Sequence, residues 1–245
     1  MTDADQVLSL DHDGDVATLV LRRPDRRNAL NVELCRAIHA GVDEAVAAGA
    51  RAIVVTGEGT AFCAGADLDG VYGEEFLEAL YAMLHHLTQV PVPLVAAVNG
   101  PAIGAGTQLA MACDLRVADA SSRFGVPTAR NGMAVDGWTI RTLEKLAGGG
   151  PARRMLIGAE LLDRDAALAC GLVDRGGVVD DAVAWAHEIA TFAPLALAHN
   201  KRVLNGGPGD AAEVEASFTR VWASADVREA QQARAEKRTP VFVGE

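Results

Sequence analysis

The stretch that decides the fold is Asn99–Asp114, NGPAIGAGTQLAMACD. It follows the apolar run Pro93–Val98, which reads as a buried strand. Asn99-Gly100-Pro101 is a turn signal. Gly104-Ala105-Gly106 then opens a second apolar run, Leu109 to Ala112, with helical spacing. A strand, a small-residue turn and a helix start leave unpaired main-chain N–H groups at a helix N-terminus, whose dipole favours negative charge. Small side chains let a ligand approach that backbone. The stretch therefore reads as a site for an anion or a developing oxyanion.

A second stretch repeats the logic. The β-branched strand Ala52–Thr56 runs into Gly57-Glu58-Gly59 and then Ala61-Phe62-Cys63-Ala64-Gly65-Ala66-Asp67-Leu68. An ordinary tight turn accounts for either loop taken alone. Two such loops, each offering one N–H, can clamp a single oxygen. Donors of that kind often contribute more than any other group to stabilising an enolate or a tetrahedral oxyanion.

Outward from these loops, Val7–Leu10 and Val16–Leu21 flank Asp13-Gly14, a hairpin signal. Asn31 is placed to cap a helix to about residue 48, with Leu34, Ile38, Val42 and Val46 as its buried stripe. A second helix is expected over 74–89, ended by Pro91 and Pro93. Leu115–Ala118 reads as a strand and 122–131 as a strand and loop. Asp136 is placed to cap a helix to about 146, and Gly148–Pro151 reads as a break. Helices are then expected at 151–158, 163–170, 180–193, 195–204, 210–223 and 225–237, with Gly206–Gly209 as a linker. β-β-α units followed by helices alone give an α/β fold: a core over 1–193 and a helical segment over 194–245. The apolar stripe Val214, Phe218, Val221 and Trp222 suits packing on the core or on another subunit.

The 245 residues are half apolar, enough for a large core. A net charge of −11 argues against non-specific nucleic-acid binding and against anionic membrane surfaces. The four cysteines have no C-x-x-C pair, which suits buried thiols in a reducing, cytoplasmic setting. No His/Cys cluster has metal-ligand spacing, so no metal is expected. The N-terminus MTDADQ lacks an apolar signal core, and no run has the length of a membrane span. The histidines offer no Ser/His/Asp arrangement, and His39, His85 and His86 fall in helices, which suits surface or interface roles. Gly104-Ala105-Gly106 is not a dinucleotide fingerprint, because position 109 is Leu.

The ordered set RPDRRNALN (23–31), GTAFCAGADL (59–68), VNGPAIGAGTQLAMACDLRVA (98–118), FGVP (124–127), GLVD (171–174) and AEKRTPVF (235–242) resembles the crotonase, or enoyl-CoA hydratase/isomerase, family over nearly the whole chain. The resemblance implies a crotonase-like spiral of β-β-α repeats with a helical C-terminal oligomerisation segment, a homotrimer or hexamer, and acyl-CoA as substrate or ligand with no further cofactor. It puts the oxyanion-hole N–H groups on Ala66 and Ala105. It puts Arg26, Ala29, Ala64, Asp67 and Leu68 around CoA, and gives Lys237 a reach to CoA phosphate. Arg26, Arg27 and Lys237 suit phosphates on an otherwise acidic chain, although RRPDRR also reads as a solvated basic turn.

The same resemblance implies that a hydratase of the family carries two glutamates, one acting as base while the other donates. Their positions hold Gln108 and Thr128 here. Neither side chain titrates near neutral pH, and each lost acid–base group costs on the order of 10²–10⁴ in rate. Asp136, which in some relatives is a functional aspartate, is the remaining carboxylate; helix capping by itself accounts for it completely and is the favoured reading. Two functions stay open: an acyl-CoA enzyme of the hydratase/isomerase group, or a fatty acyl-CoA binding or carrier protein without turnover. Leu77, Leu80, Tyr81 and Leu84 would give room for an apolar tail.

Overall fold

The structure is a computed structural model that describes residues 7–67, 69, 73–206 and 210–245. Leu68, the N-terminal MTDADQ, residues 70–72 of the stretch before the second helix, and 207–209 of the expected linker lie outside the described residues.

β1 (Leu8–Asp13) and β2 (Val16–Leu21) pair antiparallel from Leu8↔Leu21 to Asp13↔Val16. β3 (Ala52–Gly57), β4 (Leu94–Val98), β6 (Leu115–Ala118) and β9 (Arg175–Gly176) continue the sheet in parallel, in the order β1-β2-β3-β4-β6-β9. Strand alternation sends Ile53, Val55, Leu94, Ala96 and Val98 to one face and Ala52, Val54, Val95 and Ala97 to the other. The first face packs on α1 (Val32–Ala47), α2 (Glu74–Gln89) and α3 (Ala105–Ala112) through side chains such as Leu34, Ile38, Leu84, Leu87 and Leu109. The second is covered by Ala182, Ala186, Ile189 and Ala190 of α7 (Val179–Ala190). Both faces are dry, which is why β3 and β4 read as continuous apolar runs.

A second sheet was not legible in the sequence. β5 (Pro101–Ile103) pairs parallel with β7 (Arg123–Gly125), which pairs antiparallel with β8 (Leu162–Asp163). The Asn-Gly-Pro turn is therefore shorter than expected, and Pro101 begins a strand, a position where its missing N–H is tolerated.

α4 (Gly137–Ala147) and α6 (Arg164–Cys170) start at the expected caps: Asp136 accepts from Thr139 N at 2.9 Å and Asp163 from Ala166 N at 2.9 Å. The expected break over Gly148–Pro151 is a single residue. Gly148, at φ 82°, joins α4 directly to α5 (Gly149–Leu156). Pro151 falls in the first turn of α5, where no intrahelical N–H bond is lost. α8 (Pro194–Asn205), α9 (Ala211–Ala223) and α10 (Ala225–Glu236) complete the chain's helices after the sheet.

Asp114 and Lys201 fix α8 to the sheet. Asp114 Oδ2 accepts from Lys201 Nζ at 2.8 Å and from Leu94 N at 2.8 Å, and Lys201 Nζ also donates to Val92 O at 3.0 Å. Buried Arg116 is likewise satisfied, donating to Leu172 O, Cys113 O and Asp174. Asp114 is thus an anchor at a strand end. Cys35, Cys63 and Cys113 are free and buried, and burial pushes each thiol up to about 12. No helix among the described residues is long and apolar enough to cross a membrane.

Candidate functional site

The RPDRRN segment builds one wall of the site. After a 3-10 turn at Pro24–Arg26, Arg27 and Asn28 take left-handed backbone angles, φ 50° and 56°. Asn is among the side chains that tolerate this region best, and here the amide is fully engaged. Buried Asn28 donates through Nδ2 to Glu58 O (2.9 Å) and Ala61 O (2.8 Å) and accepts from Arg23 N (2.9 Å). From the other side, Asn99 Nδ2 donates to Gly57 O at 2.6 Å. The loop after β3 is therefore held by two asparagines from distant parts of the chain.

That loop then runs alongside β5. Cys63 bridges Ala102 in parallel, with Cys63 N donating to Pro101 O (3.1 Å) and Ile103 N to Cys63 O (3.0 Å). On its other side the loop bridges Leu30. Leu30 N donates to Gly65 O (2.8 Å) and Asp67 N to Leu30 O (2.7 Å). Residues 65 and 67 face Leu30, so the N–H of Ala66 points the opposite way. Ala105 is the first residue of α3, where an N–H has no intrahelical acceptor. Among the described residues neither N–H has a protein partner. Counting from the Cys63–Ala102 bridge, each lies three positions on.

The approach of the two segments depends on glycine. A Cβ on Gly106 would sit 2.0 Å from Cys63 O. Gly104, at φ 55°, turns the chain from β5 into α3, and its N–H donates to Gly125 O at 2.7 Å.

Ala66, Ala105, Gln108 and Thr128 line one cavity of about 500 Å³. Arg26, Ala29, Ala64 and Asp67 line it too, as do Leu77, Leu80 and Tyr81 of α2. Leu84, expected beside them, is instead fully buried in the core. Lys237 does not line this cavity; it is exposed and ends α10 at φ 56°. Asp136 does not line it either.

Asp136 is nevertheless linked to the cavity. Its Oδ1 accepts from Thr139 N and, at 2.5 Å, from Thr139 Oγ1. Thr139 Oγ1 lies 2.7 Å from the Gln108 amide nitrogen. An ionised carboxylate only accepts, so the Thr139 hydroxyl proton goes to Asp136. Thr139 must then accept from Gln108, which fixes Nε2 toward Thr139 and leaves the carbonyl Oε1 for the cavity. Tyr81 OH accepts the Asp136 N–H at 3.2 Å, and His85 Nε2 lies 3.7 Å from Asp136 Oδ2.

Sequence reading passed over Arg23. Its guanidinium donates to Asp67 Oδ2 at 2.9 Å and to Ala29 O, bracing two cavity-lining residues at once. The hydrogen bond from Arg23 is the main reason the Asp67 carboxyl lies below its ordinary value. Arg26, by contrast, pairs with exposed Asp69 at 3.2 Å and keeps most of its side chain in solvent.

The family model for enoyl-CoA hydratase/isomerase matches residues 11–245. The chain belongs to the enoyl-CoA hydratase/isomerase family. Within it, the chain is 49% identical over 236 residues to the Mycobacterium tuberculosis protein named "Probable enoyl-CoA hydratase echA6", covering 94% of this chain and 96% of that one. It is 30% identical over 247 residues to the short-chain-enoyl-CoA hydratase of Clostridium acetobutylicum, covering 94% of each. Among solved structures, the enoyl-CoA hydratase of Bacillus anthracis superposes with a TM-score of 0.88 at 28% identity, covering 98% of this chain and 100% of that one. The crotonase-like α/β fold expected from the motifs is thus shown for this family member.

Proposed function

We propose that the protein binds fatty acyl-CoA thioesters, with the main-chain N–H groups of Ala66 and Ala105 on the thioester oxygen. One observation carries this reading: among the described residues both groups lack a protein acceptor, and both residues line the same cavity. The cavity combines them with the apolar side chains of Leu77 and Leu80, which suit an acyl chain. A thioester that loses a Cα proton places negative charge on that oxygen, and removing one such donor typically costs about 3–4 kcal/mol. Arg26 supplies a largely solvated positive charge beside the cavity for a CoA phosphate.

Water addition to 2-enoyl-CoA is slow in this reading. Gln108 presents a carbonyl oxygen that orients a water but cannot take its proton, and Thr128 offers only a hydroxyl. The fixed polarity of the Gln108–Thr139–Asp136 chain favours the second reading, an acyl-CoA binding or carrier protein without turnover. Calorimetry with a saturated acyl-CoA, paired with loss of enoyl absorbance for a 2-enoyl-CoA, separates the cases. Saturable binding with hydration near the buffer rate is expected. Absence of binding overturns the ligand class, and fast hydration overturns the role given to Gln108.

We further propose self-association through the C-terminal helices. Phe218 and Trp222 of α9 are 48% and 65% exposed in the single chain, and Leu204 at the end of α8 is 74% exposed. Large apolar side chains left in water on adjacent helices suit a subunit contact.

A further inference from the structure

α1 and α2 bring together three side chains that lie away from the cavity. His39 and Asp43 are one turn apart on α1, so they share a face. His86 comes from the last turn of α2. The two imidazoles lie face to face, 3.8 Å between centroids and 5° from parallel. Asp43 stands at the Nε2 edge of both rings, with Oδ1 2.8 Å from His86 Nε2 and Oδ2 3.8 Å from His39 Nε2. One ring nitrogen from each imidazole and a carboxylate oxygen all lie within 4.8 Å of one another.

We propose that His39, Asp43 and His86 form a binding site for a divalent transition-metal ion such as Zn²⁺, with water completing the coordination. An ordinary His–carboxylate pair accounts for His86 with Asp43. It does not account for a second imidazole stacked on the first with its Nε2 turned to the same carboxylate. Two neutral imidazoles and a carboxylate are a borderline N/O donor set, which selects Zn²⁺, Co²⁺, Ni²⁺ and Cu²⁺ over Mg²⁺ and Ca²⁺. The ligands stand on helices already packed by buried Ile38 and Val42 against the core that holds Met83 and Leu87, so the backbone is preset. All three side chains are part-exposed, which leaves the ion a route in.

Loading requires a small rearrangement. Tetrahedral bonds of about 2.0 Å to nitrogen put ligand atoms roughly 3.3 Å apart, so the 3.8 Å His39–Asp43 separation must close and the 2.8 Å His86–Asp43 contact must open. An ion in the plane of both rings also requires the stacked imidazoles to splay about χ2. The sequence hid the site because His86 is 43 residues from Asp43. None of the three lines the acyl cavity, so metal binding does not depend on the proposed ligand. α2 does join the two regions, carrying His86 near one end and Leu77, Leu80 and Tyr81 on the cavity wall.

The test uses the untagged full chain. Titration with Zn²⁺ in a calorimeter should give one saturable equivalent, Zn²⁺ should raise the melting temperature, and Mg²⁺ should do neither. Co²⁺ should give visible absorption bands in the wild type, a readout that needs no variant. His39→Gln and His86→Gln should each weaken Zn²⁺ binding more than about tenfold, since even outer-shell changes cost 10–100-fold, while circular dichroism stays unchanged. The inference is overturned by no saturable Zn²⁺ binding, or by affinity that is unchanged in both variants.

Discussion

Thr139 has one hydroxyl proton, and it is donated in a hydrogen bond to Asp136 Oδ1. That single choice sets the amide orientation of Gln108 and so the polarity of the cavity wall. Thr139→Val removes the acceptor for a buried amide and one partner of Asp136. We expect a loss of about 1–3 kcal/mol, measured by chemical denaturation; a loss within error would mean that the chain does not hold Gln108. The Arg23–Asp67 pair gives a pH signature. Asp67 has a folded pKa below its ordinary 3.8, so the unfolded chain takes up the proton first. Its contribution to stability is complete well above 3.8 and is lost as pH falls below that value. Asp67→Asn should therefore lose less stability on acidification than the wild type, followed by acid unfolding at fixed ionic strength. The caps Asn31, Asp136 and Asp163 were legible because capping is local, a matter of three residues. Arg23 and Thr139 were not: their partners lie 44 and 31 residues away, and no short-range pattern encodes such a contact.

At the scale of elements, helices with a clear apolar stripe were legible almost to the residue, α2 at 74–89 being the clearest. β5, β8 and β9 were not, because strands of two or three residues carry too few positions for alternation to register. The missed β5 is what aligns the loop after β3 with the start of α3. Gly106→Ala tests this alignment. Its Cβ would meet the Cys63 carbonyl at 2.0 Å, and backbone on both sides leaves no flexible side chain to yield. Overpacking of this kind typically costs about 1–3 kcal/mol. We expect that loss together with weakened acyl-CoA binding, read by melting and calorimetry on the same samples. Binding and stability both like wild type would show that the two segments need no such close approach.

At the scale of the molecule, an α/β core with buried strands was legible from composition and apolar runs, whereas the covering of the sheet on both faces came from helices far apart in sequence and quaternary contacts were beyond pattern reading. Trp222→Glu puts a charge on the exposed edge of α9 and should shift the solution mass toward that of the single chain, measured by light scattering, with circular dichroism unchanged. An unchanged mass would move the subunit contact elsewhere. The bridge between Cys63 and Ala102 has a consequence of another kind. It works as a ruler: the N–H groups of Ala66 and Ala105 each lie three residues past it. Gly65 and Gly104, both at positive φ, turn the chain between the ruler and its two N–H groups, so under the reading proposed above, inserting or deleting one residue on either side would carry that N–H away from the shared cavity. The identity of the side chains at 66 and 105 matters far less than the count, so small replacements there should be tolerated where a one-residue change in length is not.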